Sequence, residues 1–338
     1  MTTQKDIAAQ AGVSVSLVSR VLSGTAPSIG ISAATAARIQ RTADAMGYRP
    51  NWSARLLKGA PARTFGVVVY DFEDPFLGRI VGELQRAAHA QDFSLVLGGF
   101  ENRRIWDLDV TALLRHQIDG LIIIGGGRDV DWIKPFSAKK IPLARVGGGP
   151  ILKRLHSFEV DEQKGLAWLV DHLRADGRRR IAFAGAEQPI HRMRQTHYQQ
   201  ALQVQGPVDG GPDALFFEAS LLEAGYEAGR RFAARPARRR PDAVIAANDM
   251  VALGVLRAFA EAGVAVPDAI AVTGYDDLPV ARMAIPSLTT VRQPIARMAR
   301  AAFDRVAATD AASAAQRTIF DPEPVVRESA PGPAGRRT

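Results

Sequence analysis

Apolar residues in the first fifty positions of the chain recur at helical spacing, in three separate groups. The first group predicts a helix over residues 4 to 11, and Gly12 after it suits a tight turn. The second group predicts a short helix capped by Ser14. The third predicts a helix from Ser32 to about Met46. Two short helices joined by a glycine turn form a helix-turn-helix.

From Thr64 onward the pattern changes to short β-branched runs that are followed by polar or glycine-rich turns. The runs are FGVVVYD, FSLVLGGF, GLIIIGGG, IPLARVGG, RIAFAGA, AVIAAND and AIAVTGYDD. An amphipathic helix is predicted after most of these runs, for example over Gly82 to Gln91 and Met250 to Ala262. Strands that alternate with helices predict an α/β domain with a parallel sheet.

Composition agrees with a soluble globular protein, because 47% of the 338 residues are hydrophobic and 23% are charged. The chain has no cysteine, which excludes disulfides, thiolate nucleophiles and sulfur metal sites and fits a reducing compartment. The longest apolar run, Gly120 to Gly127, is too short to cross a bilayer, and residues 1 to 30 show no signal-peptide pattern. We therefore expect a cytoplasmic protein of more than one domain.

Charge is unevenly distributed along the chain. The formal charge is +8, and residues 1 to 60 alone hold seven basic side chains against two acidic ones. A basic segment of this kind suggests a polyanionic partner such as DNA, although a run of charges is also what a solvated surface would show.

The second predicted helix presents four side chains away from its apolar face, namely Val15, Ser16, Ser19 and Arg20. Arg20 could donate paired hydrogen bonds to a guanine edge, and Val15 could contact a thymine methyl group. These residue types predict a helix that reads the major groove. An ordinary helical hairpin with a solvated polar face is the alternative.

Catalytic and cofactor motifs do not emerge from the sequence. The segments GGGRDVDW and ARVGGGP fit neither dinucleotide-binding nor P-loop patterns. The six histidines lack metal-binding spacing, and no serine lies in a G-x-S-x-G turn. We expect no enzyme activity, no cofactor and no metal.

Polar residues follow several predicted strands of the α/β region: Asp71, Asn248, Asp249, Asp276 and Asp277. Ligands of open α/β sheets bind at the carboxyl ends of the strands, so these positions suggest a binding site. Each of them taken singly is equally consistent with a side chain that caps a loop.

The run TTQKDIAAQAGVSVSLVSRVLSG resembles the opening of LacI/GalR-family regulators, with Leu17 in place of the usual threonine. The resemblance implies that this region contacts operator DNA through Thr3, Ser14, Val15, Ser16, Ser19 and Arg20. The segment GYRPNWSARLLKG is similar to the family's hinge, which implies further DNA contacts at Asn51, Ala54, Arg55 and Leu57. Leu57 is expected to wedge into the minor groove, and a core leucine is the alternative.

The resemblance extends to about Ser329 through motifs such as DFEDPF, VDEQKG, PDAVIAANDMVALG and VPDAIAVTGYDDLPVA. It implies a periplasmic-binding-protein-like, two-lobed, doubly wound sensor domain with three chain crossovers. The predicted boundaries are 1–50 for the DNA-binding domain, 51–63 for the hinge, 64–329 for the sensor and 330–338 for a disordered tail. Lobe one would hold about 64–160 and 292–320, and lobe two about 161–291 and 321–329.

By the same resemblance the effector contacts are Asp71, Phe72, Phe76, Arg194, Asn248, Asp276 and Gln293. Acidic, amide and guanidinium groups together suit a sugar or sugar acid, which offers paired hydroxyl groups. Alternative explanations are a surface cation for Arg194, a turn cap for Asp276 and a core residue for Phe76. His197 departs from the family's glycine, which leaves open how the helix after Arg194 lies.

The expected partners are double-stranded operator DNA, a small-molecule effector and a second copy of the chain, with no membrane. The tail PGPAGRRT has no heptads, so a tetramerising coiled coil is not expected. The function predicted is a transcriptional regulator, most simply a repressor. A stand-alone solute-binding protein and a sugar-modifying enzyme are the alternatives.

Overall fold

The computed structural model describes residues 2–22, 30–48, 62–101, 104–105, 107–126, 131–150, 152–204, 213–308 and 315–333. The chain divides into two units, Met1–Ala62 and Arg63–Thr338. Among the described residues, no helix is long and apolar enough to cross a membrane.

The first unit contains three described helices: α1 (Gln4–Ala11), α2 (Val15–Leu22) and α3 (Ala33–Ala45). Helix α1 begins with a capping box, in which Thr3 accepts a hydrogen bond from the Asp6 backbone and the Asp6 carboxylate accepts one from the Thr3 backbone. The helix ends at Gly12, whose φ of 65° is the left-handed conformation that glycine tolerates. These elements confirm the predicted helix-turn-helix.

A small core holds the three helices together. Ile7, Val18 and Ile39, one residue from each helix, are fully buried against one another. Leu17 is half-buried and packs on the same cluster, so the leucine that replaces the family's threonine contributes to packing.

The second unit is built on two parallel sheets. We call lobe one the part built on the larger sheet, which has seven strands in the order β12-β6-β5-β4-β1-β2-β3, and only its edge pair β2 and β3 is antiparallel. Its strands are β1 (Thr64–Val69), β2 (Ser94–Glu101), β3 (Arg104–Ile105), β4 (Gly120–Ile124), β5 (Leu143–Val146), β6 (Leu155–Val160) and β12 (Arg317–Phe320). Its helices are α4 (Pro75–His89), α5 (Asp107–Arg115), α6 (Lys134–Ala138) and α11 (Ile295–Ala307).

Lobe two is built on a four-stranded parallel sheet in the order β10-β9-β7-β8. Its strands are β7 (Ile181–Ala186), β8 (Asp213–Phe217), β9 (Ala243–Ala246) and β10 (Ala271–Thr273). Its helices are α7 (Glu162–Ala175), α8 (Pro189–Val204), α9 (Leu221–Ala233) and α10 (Asp249–Glu261). Lobe two also contains an antiparallel pair of strands, β11 (Thr290–Arg292) and β13 (Glu323–Val325). Single β-bridges join this pair to β10 and to the segment after β10.

Each lobe has helices packed on both faces of its sheet. In lobe one, apolar side chains of α4 and α11 cover one face, and Phe303 of α11 meets Phe65 of β1 edge to face at 5.2 Å. In lobe two, α9 and α10 cover one face, and α7 and α8 cover the other. The chain passes between the lobes after β6, after β11 and after β12, as the three predicted crossovers require.

The structure corrects three local predictions. The helix predicted from Gly82 begins at Pro75, because Asp74 provides an N-cap and proline is favoured in the first turn. Arg194 lies inside a helix that begins at Pro189, not before one. The disordered tail was predicted too early, since Ala330 is buried in lobe two and its carbonyl accepts a hydrogen bond from Thr289.

Candidate DNA-binding and effector sites

The outer face of α2 carries the predicted base-reading side chains. Val15, Ser16 and Arg20 are exposed, and Ser19 is half-buried. Ser14 caps the helix by accepting a hydrogen bond from the Leu17 backbone at 3.2 Å. An exposed arginine and a small apolar residue on one helix face have the chemistry that contacts base edges.

Thr3 has a local role in the fold. Its hydroxyl group donates to the Asp6 carboxylate at 2.8 Å, so the side chain is held at the first turn of α1. The predicted hinge contacts Asn51, Ala54, Arg55 and Leu57 lie outside the described residues.

Arg194 is the centre of the predicted effector site and is almost completely buried in α8. Its guanidinium makes a two-point ion pair with Glu162, with N–O distances of 2.8 and 3.0 Å. It also donates to the Ala247 carbonyl at 2.7 Å and stacks on the Tyr275 ring, 3.9 Å from the ring centroid. The alternative of a surface cation is therefore wrong.

Asp276 completes this network from the segment that follows β10. Its carboxylate accepts from Arg194 at 3.3 Å and from the Gln293 amide at 2.7 Å, and both partners are buried. Burial raises the pKa of Asp276 well above its ordinary value, and the nearby Arg194 charge opposes that rise. The residue has a φ of 105°, so its backbone is held in a conformation that L-amino acids rarely adopt. Arg194, Asp276 and Gln293 thus form one connected group.

Asn248 belongs to the neighbouring strand end but not to that network. It is the N-cap of α10, where its side-chain oxygen accepts from the Val251 backbone at 2.9 Å. The adjacent Asp249 accepts from the Thr290 hydroxyl group and the Leu278 backbone, each at 2.6 Å. Burial raises the pKa of Asp249 to about 7.

Lobe one contributes Asp71, Phe72 and Phe76 from the loop after β1 and the start of α4. Phe72 is exposed and its ring lies over Gly99, whereas Phe76 is half-buried and packs on the lobe-one core. Asp71 accepts a hydrogen bond from the Glu73 backbone within the loop. These three residues are thus close in the chain but differ in burial.

Three residues that lie near the Arg194 network were not identified from the sequence. Asp74 caps α4, and burial raises its pKa to about 6, while the positive charge of Arg194 in the other lobe lowers it. Glu162 is the first residue of α7 and pairs with Arg194 across 32 positions of sequence. His191 is buried, and this burial lowers its pKa to about 3, so its imidazole is neutral at pH 7. A helix N-terminus with an acidic residue was the available signal for Asp74 and Glu162.

The two lobes meet near this group of residues. Arg79 of α4 donates to the Asp277 carbonyl of lobe two at 2.9 Å. The Asp277 carboxylate in turn pairs with Arg292 at 2.7 Å and with Arg327 at 2.6 Å. Among the described residues, no group of three His, Asp or Glu side chains is arranged to hold a metal ion.

Comparison with known proteins gives two family matches. Residues 3–51 match the bacterial regulatory proteins of the lacI family, and residues 170–330 match a periplasmic binding protein-like domain. The first match covers all of α1, α2 and α3, and the second begins within α7 of lobe two.

Characterised relatives match nearly the whole chain. The regulator GalR of Escherichia coli is 31% identical over 323 residues, which are 88% of this chain and 86% of GalR. The regulator GalS of Salmonella typhimurium is 30% identical over 318 residues, 89% of this chain and 88% of GalS.

Solved structures extend the likeness to the fold. The Lac repressor dimer bound to operator and the anti-inducer ONPF has a TM-score of 0.84 at 25% identity, covering 97% of this chain and 99% of that one. A complex of the regulator CelR with cellobiose has a TM-score of 0.65 at 26% identity, covering 97% and 100%. The predicted fold class is confirmed. The prediction that the chain is a regulator and not an enzyme is also confirmed, because the relatives that match it are transcriptional regulators. The chain belongs to the lacI family of bacterial regulatory proteins and is a DNA-binding transcriptional regulator with a ligand-binding sensor domain.

Proposed function

We propose that the protein is a homodimeric repressor whose affinity for operator DNA is controlled by a sugar or sugar acid bound between the two lobes. The observation that carries the proposal is the buried network of Arg194, Asp276 and Gln293 at the carboxyl ends of the lobe-two strands. Polar groups held in this way are costly to bury unless they recognise something or one another.

The chemistry of the network suits a polyhydroxylated ligand. Within the network, Asp276 has oxygens that accept from hydroxyl groups and Gln293 carries an amide. Outside it, Asn248 adds a second amide and Phe72 offers an exposed aromatic face on the opposite lobe. A ligand that lacked the matching hydroxyl groups would take water away from these polar groups without forming hydrogen bonds in return, which gives discrimination. The cellobiose complex of CelR supports a carbohydrate for this chain.

The DNA half of the proposal assigns base contacts to Val15, Ser16, Ser19 and Arg20 of α2. In a homodimer the two α2 helices would occupy successive major-groove half-sites of a pseudo-palindromic operator. The Lac repressor dimer bound to operator supports this assembly. The hinge residues Asn51, Ala54, Arg55 and Leu57 are proposed as minor-groove contacts on the family resemblance.

Closure of the lobes on a ligand would link the two halves. An effector changes DNA affinity only by binding the DNA-competent and DNA-free states with different affinities. The contact of Arg79 with the Asp277 carbonyl joins the lobes, so its geometry depends on how far they close.

The DNA half is tested by gel retardation of the full chain on the DNA upstream of its own gene, with Arg20→Ala and Arg38→Ala compared. Each variant removes one exposed positive charge from the first unit, but Arg38 lies on α3. Loss of a base contact weakens specific binding by about ten- to a hundredfold, so we expect that loss for Arg20→Ala and much less for Arg38→Ala. Equal weakening by both variants would mean that α2 does not read bases.

The sensing half is tested by adding sugars and sugar acids to the retarded complex. We expect at least one of them to change the concentration of protein needed for half-retardation. A complex indifferent to all of them, with a chain whose melting temperature none of them raises, would refute carbohydrate sensing.

A further inference from the structure

The positive charge of Arg194 is already neutralised within lobe two. The Nε–H and one Nη2 hydrogen reach the two oxygens of Glu162, the other Nη2 hydrogen reaches Asp276, and an Nη1 hydrogen reaches the Ala247 carbonyl. A guanidinium has five N–H donors, so one of them is left for a ligand. A two-point clamp on a ligand carboxylate needs two donors on one edge of the guanidinium.

The pair between Glu162 and Arg194 is rigidly built. Glu162 is the first residue of α7, where the free backbone N–H groups favour a negative charge. Arg194 is fixed from its other face by the Tyr275 ring, and that ring lies against Gly165 of α7, where any side chain would collide with it. Displacing Glu162 would therefore disturb a packed helix end as well as an ion pair.

Among the described residues, the remaining charged groups near Arg194 do not add a second buried cation. Asp276 is a second carboxylate on the same guanidinium, Asp74 of lobe one is near enough for the Arg194 charge to lower its pKa, and His191 is neutral at pH 7. Of the other arginines described at this edge, Arg292 and Arg327 are paired with Asp277, and Arg79 lies at the exposed rim on the Asp277 carbonyl.

We propose that Glu162 is a specificity-determining residue: by occupying Arg194 it restricts the effector to uncharged polyhydroxylated molecules and excludes sugar acids. The inference rests on the proposed function and narrows its ligand class. A carboxylate in this site would lie among Glu162, Asp276 and Asp74, while the described arginines beside it are either paired with Asp277 or, in the case of Arg79, exposed at the rim. Like charges brought together out of water repel strongly. A neutral sugar meets no such barrier and can still use the acceptors of Asp276 and the remaining N–H of Arg194.

The experiment measures binding of matched pairs to the full chain by thermal shift and calorimetry. The probes are D-galactose with D-galacturonate, D-glucose with D-glucuronate, and cellobiose with cellobionate. The proteins are the wild type, Glu162→Gln, Glu162→Asp and Glu187→Gln. Glu187 is the control because it makes a similar two-point pair with Arg192 at the surface, outside the Arg194 network.

For any pair that binds, we expect the wild type and Glu187→Gln to prefer the neutral member by at least about tenfold. Glu162→Gln keeps the size of the side chain but frees one positive charge, so its preference should fall by about tenfold or reverse. Glu162→Asp keeps the charge and should keep the preference, even if its shorter side chain lowers stability.

Three results would overturn the inference. Tight binding of an acid by the wild type would refute it and leave carbohydrate sensing intact. An equal loss of preference in Glu162→Gln and Glu162→Asp would show that side-chain fit, and not charge, sets the preference. Absence of binding by every probe would refute the inference together with carbohydrate sensing, while DNA retardation would still report on the other half of the proposed function.

Discussion

The two lobes of the sensor present different kinds of surface to the predicted effector. Lobe two contributes Arg194 and Asp276, which are buried and hydrogen-bonded to each other, and Asp276 also accepts from Gln293 at the crossover after β11. Lobe one contributes the half-buried Asp71, the exposed Phe72 and the half-buried Phe76, and Phe76 packs on the apolar core of that lobe. One lobe presents a buried network of polar side chains, and the other presents mainly aromatic surface.

This difference suggests a division of labour between the lobes. A rigid hydrogen-bonding network discriminates between ligands, because a mismatched ligand displaces water from these groups without replacing its hydrogen bonds. An exposed aromatic face adds contact area with little dependence on the pattern of hydroxyl groups. We therefore expect substitutions in lobe two to change specificity and stability together, and those at Phe72 to change affinity alone.

The largest effect is expected for Arg194→Met. This substitution leaves Glu162 and Asp276 buried without their cation, and breaking a buried ion pair in this way costs roughly 3–5 kcal/mol. Urea unfolding of the full chain checks it. The control Arg192→Met lies two residues earlier on α8, and its exposed pair with Glu187 should cost at most about 1 kcal/mol. Similar losses for both would show that the network does not stabilise lobe two.

A smaller effect on stability is expected from Asp74 of lobe one, because its raised pKa makes the free energy of unfolding depend on pH. Its pKa is raised to about 6 in the fold from an ordinary 3.8, so the folded protein holds this proton more tightly than the unfolded chain. Asp74 therefore costs stability increasingly as the pH rises from about 4 to 6, and the cost persists above 6.

Asp74→Asn removes that cost and keeps an N-cap acceptor for α4. The difference in unfolding free energy between the variant and the wild type should therefore grow by roughly 1–3 kcal/mol, in favour of the variant, when the pH is raised from 4 to 7. Urea unfolding of both proteins at the two pH values measures the gain. A constant difference across this range would contradict the raised pKa.

The smallest effect is expected for Phe72→Ala. The side chain is 57% exposed, so unfolding stability should change by no more than about 0.5 kcal/mol. Affinity for the best-binding sugar should fall about fivefold, which corresponds to about 1 kcal/mol of lost aromatic contact. Phe76→Ala, by contrast, should lower stability because this ring packs on the lobe-one core. A change of ligand specificity in Phe72→Ala would contradict the proposal that lobe two alone sets specificity.

Much of the fold follows from local pattern. Helix α1, the turn at Gly12 and the strands β1 and β4 have strong periodicity or unbroken apolar runs, which short-range physics determines. Strand β8 was not predicted, because every residue of it is only half-buried and its pattern is weak. The start of α4 was placed too late because the cap at Asp74 lies outside the apolar periodicity.

The effector site was less accessible to sequence reasoning. Asp276 could be placed at a strand end from the alternating pattern, but the pairing of Arg194 with Glu162 joins two helices 32 residues apart. Such a pair depends on how α7 and α8 pack, which a single sequence does not encode locally. The roles of Arg194 and Gln293 came from family resemblance, and their contact with Asp276 came only from the structure.

The reciprocal linkage between sugar and DNA tests the central proposal most directly. The dissociation constant of the best-binding sugar is measured by calorimetry with and without saturating operator duplex, and that of the duplex with and without saturating sugar. If the sugar binds between the lobes and controls the first unit, both constants must change by the same factor, about fivefold or more. A sugar that binds with the same constant in both conditions would contradict the proposal, because such a ligand cannot alter DNA affinity.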